Sequence, residues 1–535
     1  MGKRRFSDLH CHNHMRAHFQ MQEKAKKFRR KGEFSPWTVI ASNHRNHQKG
    51  VMGASYSQID LVKCWNSNLR LTFNSLYPLE RQFVKGIDPK IGKDKWFRFL
   101  TSAILGSKGI RRDLLQTAYM RIPDKVVDYF QSDDYDYWES LQRERDFVMM
   151  DSGKRIRRNE IHVPQALLRE ERLARKLANQ HPRLYYAENA CYRIPTNREE
   201  LQKSIEDDQE ITMILTIEGA HALGTDRVQS IEEISQRVKE IKENWEAPIF
   251  FITYAHHFDN HLCGHAHSIP GMGKILMDQS ERMNAGFNND GRRILKELLG
   301  INGDFERDES LGYRILIDVK HMSARSRKEF YSLVGKCLDK GDRIPVIASH
   351  CGYSGISTLD RHIELEDCEV DDYTDKSGKF NAWNINMCDE DIEWIVRTRG
   401  MFGISFDQRI LGITKEDLKN NPQRNGIQLI WENIEAIIKS AYANPNLSDE
   451  EKPMVWKCLT IGTDFEGLID PVDYYPTALE FGLFSNNLIF EIEQSRKKSG
   501  QKHLAHLKSR EDVEKAVEDF CFNNSKGFVV ENYLG

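Results

Sequence analysis

The stretch Ile211-Thr212-Met213-Ile214-Leu215-Thr216-Ile217 is a near-continuous apolar run of the kind that forms a strand buried on both faces, and it stops at Glu218-Gly219-Ala220-His221. A helix-like segment, Ile231 to Asn244, follows, and the pattern then repeats. Pro248 to Ala255 runs into His256-His257, and Gly291 to Leu299 reads as a helix before Tyr313 to Val319, which leads to Lys320-His321. Arg325 to Asp339 is helical in pattern and precedes Pro345 to Ser349 and His350. Asp389 to Thr398 precedes Gly400 to Phe406. Trp431 to Tyr442, with Ile434, Ile437, Ile438 and Ala441 on one face, precedes Cys458 to Thr463, which ends at Asp464-Phe465-Glu466-Gly467. Strands alternating with helices imply βα units and a parallel sheet.

Outward from this block, the chain opens on Ser7-Asp8-Leu9-His10-Cys11-His12-Asn13-His14. In a strand, residues i and i+2 share a face, so His10 and His12 present two imidazoles together while Cys11 packs on the other side. Two further β-prone runs, Trp37 to Ser42 and Leu69 to Phe73, compete for one place beside it. About six βα units from residue 211 onward, the opening strand and one of these runs make eight, and the simplest closure is a (β/α)8 barrel of the TIM type. Residues 1–535 then form a single barrel. A charged helical insertion spans 77–198, with helices over Tyr135 to Met149 and Pro164 to Gln180; the basic run Lys154 to Arg158 reads as its solvated face. The polar Gln22 to Lys31 segment reads as a loop or exposed helix over the mouth. The polar residues fall at the C-terminal ends of the strands, where barrel enzymes build their sites; core packing alone does not predict that coincidence.

Composition narrows the partners. With 77 Lys and Arg against 80 Asp and Glu, the formal charge is -3, so no global field draws the chain to nucleic acid or to an anionic membrane. No apolar run approaches a bilayer span. The basic start Met1-Gly2-Lys3-Arg4-Arg5-Phe6 lacks the apolar stretch of a signal peptide, and the ten cysteines include no Cys-x-x-Cys pair. A cytoplasmic protein with reduced thiols and a small-molecule substrate is expected, with the helical insertion as the surface for a protein partner or a second copy.

The strand ends offer His10, His12, Glu218, His256, His321, His350 and Asp464. Imidazole and carboxylate suit zinc and similar divalent ions, and a carboxylate can bridge two of them. His257, His261, His265 and His267 read as loop residues, Asp8 and Asp318 as groups that orient ligand imidazoles, and Lys320 as alternating away from His321.

Glu218-Gly219-Ala220-His221-Ala222-Leu223 resembles the Glu-Gly-Gly-His-Ala-Leu motif of the renal or membrane dipeptidase family, zinc peptidases of the amidohydrolase superfamily. Phe251 to His256 is similar to that family's Tyr-Leu-Thr-Leu-Thr-His, Asp318 to Ser323 to Asp-Leu-Ser-His-Val-Ser, Pro345 to His350 to Pro-Val-Ile-Phe-Ser-His, and Gly462 to Gly467 to Gly-Gly-Asp-Phe-Asp-Gly. The resemblance implies two divalent metal ions, zinc by type, bridged by Glu218, with His10 and His12 on one and His321 and His350 on the other. It further implies that His256 binds substrate and steadies the oxyanion, that Asp464 is the acid/base, and that Asn260, where the family often carries Asn, is substrate-binding. Two positions depart from the family. His12 replaces its aspartate, and an insertion separates His350 from Asn386, leaving Arg361 as the candidate for its substrate-carboxylate arginine. The expected activity is hydrolysis of a dipeptide-like or other amide bond. The alternatives are a phosphoesterase of the polymerase-and-histidinol-phosphatase type, whose opening Asp8 to His12 also resembles, and a non-catalytic metal-stabilised scaffold.

Overall fold

The structure, a computed structural model, describes residues 4–25, 34–40, 57–83, 124–157, 161–162, 182–228, 230–269, 277–365, 379–414, 417, 420, 424, 426–498, 500 and 502–535. Eight parallel strands follow one another around a barrel: β1 (Phe6–Cys11), β2 (Leu69–Leu76), β3 (Ile211–Glu218), β4 (Ile249–Thr253), β5 (Leu316–Asp318), β6 (Ile347–Cys351), β7 (Met401–Ile404) and β8 (Leu459–Ile461). Each pairs with the next in order. The ring closes where β8 runs out. The Asp464 amide donates to the His10 carbonyl at 3.0 Å, and the His12 amide to the Phe465 carbonyl at 3.1 Å.

The longest strands show why the sequence chooses this fold. All eight residues of β3 and all eight of β2 are buried, as expected of parallel strands covered on both faces. Leu9, Leu71, Phe73, Ile214, Phe251, Leu316, Ile347 and Met401 come from seven strands and pack as one cluster. Phe522, Phe528, Val529 and Tyr533 of the C-terminal helical segment join that cluster, on the side where β5, β6 and β7 begin. The mouth at the other end is left for polar residues.

Helices cover the outside: α1 (Leu61–Ser67), α2 (Tyr137–Met149), α3 (Ile231–Asn244), α4 (Asn289–Leu299), α5 (Ala324–Asp339), α6 (Asp389–Arg397), α7 (Ile427–Ala443) and α8 (Phe481–Arg496). The expected helices from residue 231 onward all appear, most within a turn of the expected bounds. Of the two competing N-terminal runs, Leu69–Leu76 is the barrel strand, whereas Val39–Ile40 pairs with Ile161–His162 in a small separate sheet. Within the expected insertion, α2 carries Glu144 inward to the barrel, where its carboxylate accepts from His14 at 2.6 Å and from the Tyr77 amide at 2.8 Å. The helix expected over 164–180 lies outside the described residues, as do 26–31 and 158. None of the helices among the described residues is long and apolar enough to cross a membrane.

Candidate metal centre

Glu218, the last residue of β3, is where the cluster converges. Its Oε2 lies 3.0 Å from His12 Nε2. Its Oε1 lies 3.2 Å from His10 Nε2, 3.4 Å from His256 Nε2, 3.7 Å from His350 Nε2 and 3.8 Å from His321 Nε2. Asp464 arrives across the barrel closure, with Oδ1 3.7 Å from His10 Nε2 and Oδ2 3.9 Å from His350 Nε2. All seven strand-end residues named from the sequence therefore meet in one place.

Hydrogen bonds behind the rings decide which nitrogen faces the cluster. The Ser75 carbonyl can only accept, so His12 donates to it through Nδ1 at 2.9 Å and turns the Nε2 lone pair toward Glu218. The Ser349 hydroxyl donates to Asp318 Oδ2 at 2.5 Å and so accepts from His350 Nδ1 at 2.7 Å, which leaves the lone pair of His350 on Nε2. Asp318 is anchored by the Thr253 hydroxyl at 2.6 Å and by the Lys320 and Ser349 amides, each at 3.0 Å. It thus orients His350 through one intervening hydroxyl. Asp8 differs from expectation. Its carboxylate takes the Thr463 amide at 2.9 Å, the Thr463 hydroxyl at 2.6 Å and the His10 amide at 3.3 Å, so it ties β1 to the end of β8 and touches no ligand imidazole.

The donors fit divalent ions on the chemistry of their unpaired atoms. Both nitrogens of His10, Nε2 of His12, Nδ1 of His321 and Oδ1 of Asp464 are buried with no hydrogen-bond partner. Lone pairs that face one another without an intervening proton repel, and a shared cation removes the repulsion. Ligand atoms of His10, His12, Glu218 and Asp464 lie within 4.8 Å of one another, as do those of Glu218, His321 and His350. Glu218 belongs to both groups. Burial lowers His10, and burial with neighbouring imidazoles pushes His321 and His350 well below the usual histidine range.

The two carboxyls of the centre are driven apart. Burial and then the Glu218 charge raise Asp464 well above the usual carboxylate range. Burial alone would raise Glu218 too, yet His10 and His256 hold it well below. The two carboxyls of one site thus have opposed affinities for a proton.

His256 is held by a residue that the sequence reading passed over. Its Nδ1 lies 2.5 Å from Glu80 Oε2, and the other Glu80 oxygen accepts from the Phe258 amide at 3.2 Å. Burial opposes charge on both partners, but their mutual attraction lowers Glu80 to about 2 and, with Glu218, raises His256 to about 10. Glu80 sits four residues beyond the end of β2, and that position at a strand end was the available signal.

Backbone strain marks the same places. His321 and Asp464 adopt φ of 65° and 62°, a left-handed conformation that costs a non-glycine residue about 1–3 kcal/mol. Gly219 has φ of 85°, and a Cβ there would stand 2.2 Å from His221 Nδ1. A Cβ on Gly467 would stand 1.9 Å from Asp464 Oδ1. The glycines in both motifs are therefore required by space around the centre.

Other expected residues lie elsewhere. Arg361 is on the short helix Leu359–Leu365, half exposed and paired with Glu364 at 3.0 Å, and the structure does not bring it to the cluster. Asn260 is buried as a loop brace: its amide donates to the Tyr254 carbonyl at 2.6 Å and its oxygen accepts from the Leu262 and Cys263 amides. His261, His265 and His267 stay in that loop. His257 comes closer than a loop residue should. Its ring centre is 4.9 Å from that of His321, and it shares a potential ligand group with His256 and His321. Glu466 is turned away, to Arg16 at 2.7 Å and the Gln58 amide at 2.7 Å. Lys320 is buried beside the cluster.

No protein-family model matches the sequence, and no curated protein matches it. Solved structures do. Dipeptidase AC is similar with a TM-score of 0.48 at 12% identity, over 100% of this chain and 99% of that one. A metallopeptidase from Rhodobacter sphaeroides, solved with a phosphinate mimic of the dipeptide L-Ala-D-Ala, is similar with a TM-score of 0.48 at 13% identity, over 99% of each chain. Both are metallopeptidases.

Proposed function

We propose that the chain is a binuclear metal-dependent hydrolase of C–N bonds, acting on dipeptide-like or other amide substrates. The observation that carries this reading is the double use of Glu218, whose Oε2 faces His12 at 3.0 Å while its Oε1 faces His10, His321 and His350 at 3.2 to 3.8 Å. His10 and His12 would hold one ion, His321 and His350 the other, and Glu218 both. Imidazole and carboxylate donors favour zinc. When bound, such a pair supplies Lewis acidity toward the scissile carbonyl and makes an attacking water more acidic.

The chain's own residues supply the rest. Asp464, whose burial favours a bound proton, takes the proton of the attacking water and returns one to the leaving amine. His256, kept cationic by Glu80 and Glu218, presents Nε2 to the carbonyl oxygen as it gains negative charge. His12, neutral where the resembled family carries an aspartate, leaves the ligand set one charge more positive, which favours the ionised form of the attacking water. A phosphoesterase reading would need a ligand pair after β8, and Glu466 is instead committed to Arg16 and Gln58.

The test is a turnover screen of dipeptides, N-acyl amino acids, lactones and phosphate esters on one metal-loaded preparation. Cleavage of the amide substrates is expected. Cleavage of phosphate esters alone would overturn the reading.

A further inference from the structure

Helix α2 buries Tyr137, Ser140, Leu141, Glu144, Phe147 and Val148, residues three and four apart that form one inward stripe. Glu144 stands in the middle of that stripe, 1% exposed, where the period calls for an apolar side chain. A carboxylate is costly to bury unless it is hydrogen-bonded, so its partners say what it does there. They are two groups beside the metal centre and far away along the chain. Its Oε1 lies 2.6 Å from His14 Nε2, and its Oε2 accepts from the Tyr77 amide at 2.8 Å.

His14 and Tyr77 lie just past the ends of β1 and β2, whose register of paired residues stops at Cys11 and Asn74, one residue before His12. From there side chains join the two segments. His12 Nδ1 donates to the Ser75 carbonyl at 2.9 Å, and Asn74 Oδ1 accepts from the Asn13 amide at 3.1 Å and from His14 Nδ1 at 3.0 Å. Glu144 closes this set from outside both strands, with one oxygen on each segment. The Tyr77 ring stands 5.9 Å from that of His12 and 4.9 Å from that of His256, so the clamp reaches both a metal-site imidazole and the group assigned to the carbonyl oxygen.

The same partners fix the proton between them. His14 donates through Nδ1, so a neutral ring has its lone pair on Nε2, and the 2.6 Å contact with Glu144 holds one shared proton. A glutamine in this place supplies that proton from its amide nitrogen and keeps the Tyr77 amide on its oxygen. An aspartate keeps the charge but, one methylene shorter, cannot reach both partners.

Resting on the binuclear hydrolase reading, we propose that Glu144 is a positioning residue for the His10–His12 half of the metal centre. Helix α2 reaches into the mouth of the barrel and locks the ends of β1 and β2 in the arrangement that presents His12 to its ion. Groups that orient a ligand imidazole from behind commonly set metal affinity, although they never touch the metal.

The experiment measures the two stepwise zinc affinities by competition with a chromophoric chelator, the thermal midpoint of the metal-free chain, and amide turnover at low and at saturating zinc. It uses the full-length wild type, Glu144→Ala, Glu144→Asp, Glu144→Gln and, as a control on the same buried stripe, Leu141→Ala. Glu144→Ala should weaken one zinc affinity about 10- to 100-fold and leave the other within about threefold. Its turnover should be lost at low zinc and recover at saturating zinc. Glu144→Asp should weaken the same ion, and it carries the test where Glu144→Ala does not fold. Glu144→Gln should restore most of the affinity, because it keeps both hydrogen bonds. Leu141→Ala should lower the midpoint, as a core cavity does, with both affinities kept. Unchanged zinc affinities in Glu144→Ala and Glu144→Asp overturn the proposal, as does an equal loss at both ions or a Glu144→Gln variant no better than Glu144→Ala. If wild type binds two zinc ions yet cleaves no amide substrate, the hydrolase reading fails, and the affinities still decide the role of Glu144. If wild type binds no zinc, both fail.

Discussion

Asp464 and His256 occupy opposite electrostatic conditions within a few ångströms of the same carboxylate, and the roles assigned to them can be separated by single substitutions. Asp464→Asn removes the proton acceptor while keeping the side chain's size, so metal content should persist while kcat falls about 100- to 10,000-fold. Turnover measured beside elemental analysis checks this, and unchanged turnover would remove Asp464 from its role. Glu80→Gln leaves His256 without its anionic partner. We expect kcat to fall more than KM rises, with partial recovery in Glu80→Asp. Arg361→Ala, at a half-exposed site paired with Glu364, should leave both constants and, within about 0.5 kcal/mol, stability unaltered.

Among the elements, the junction between β8 and β1 carries the most weight, because the residues that close the barrel also shape the centre. Asp8 receives two hydrogen bonds from Thr463, next to Asp464, and one from the His10 amide. Thr463→Val deletes the hydroxyl donor to a buried carboxylate and should lower stability by about 1–3 kcal/mol, read from the denaturant midpoint at constant slope. This junction also shows how the sequence could be read. Strands β3 to β8 were legible because continuous apolar runs stop abruptly at His, Glu or Asp. Strand β2 was only half legible: its apolar pattern breaks at Asn74-Ser75, and these are polar because the Asn74 side chain binds Asn13 and His14 while the Ser75 hydroxyl accepts from the Thr216 hydroxyl at 3.1 Å. With the end of β2 obscured, Glu80 was assigned to an insertion, although it lies at a strand end like the other site residues. Arg361, named on a different ground, meets Glu364. Its distance along the chain was plausible, but distance does not say which way a helix faces.

For the whole molecule, the mouth of the barrel gathers buried nitrogens and carboxylates whose lone pairs lack partners, so the folded chain should be less stable without its ions than with them. Binding that favours the native state adds about 2.7 kcal/mol when free metal is at 100 times its dissociation constant. Chelation should therefore lower the thermal midpoint, and added zinc should restore it. The central claim is that two ions share Glu218, and metal content tests it most directly. Elemental analysis of the purified, folded chain should find about two divalent ions, with Glu218→Ala losing at least one of them and all amide hydrolysis. A folded preparation that is fully active without metal, or a Glu218→Ala variant that keeps its full complement of ions, would contradict it.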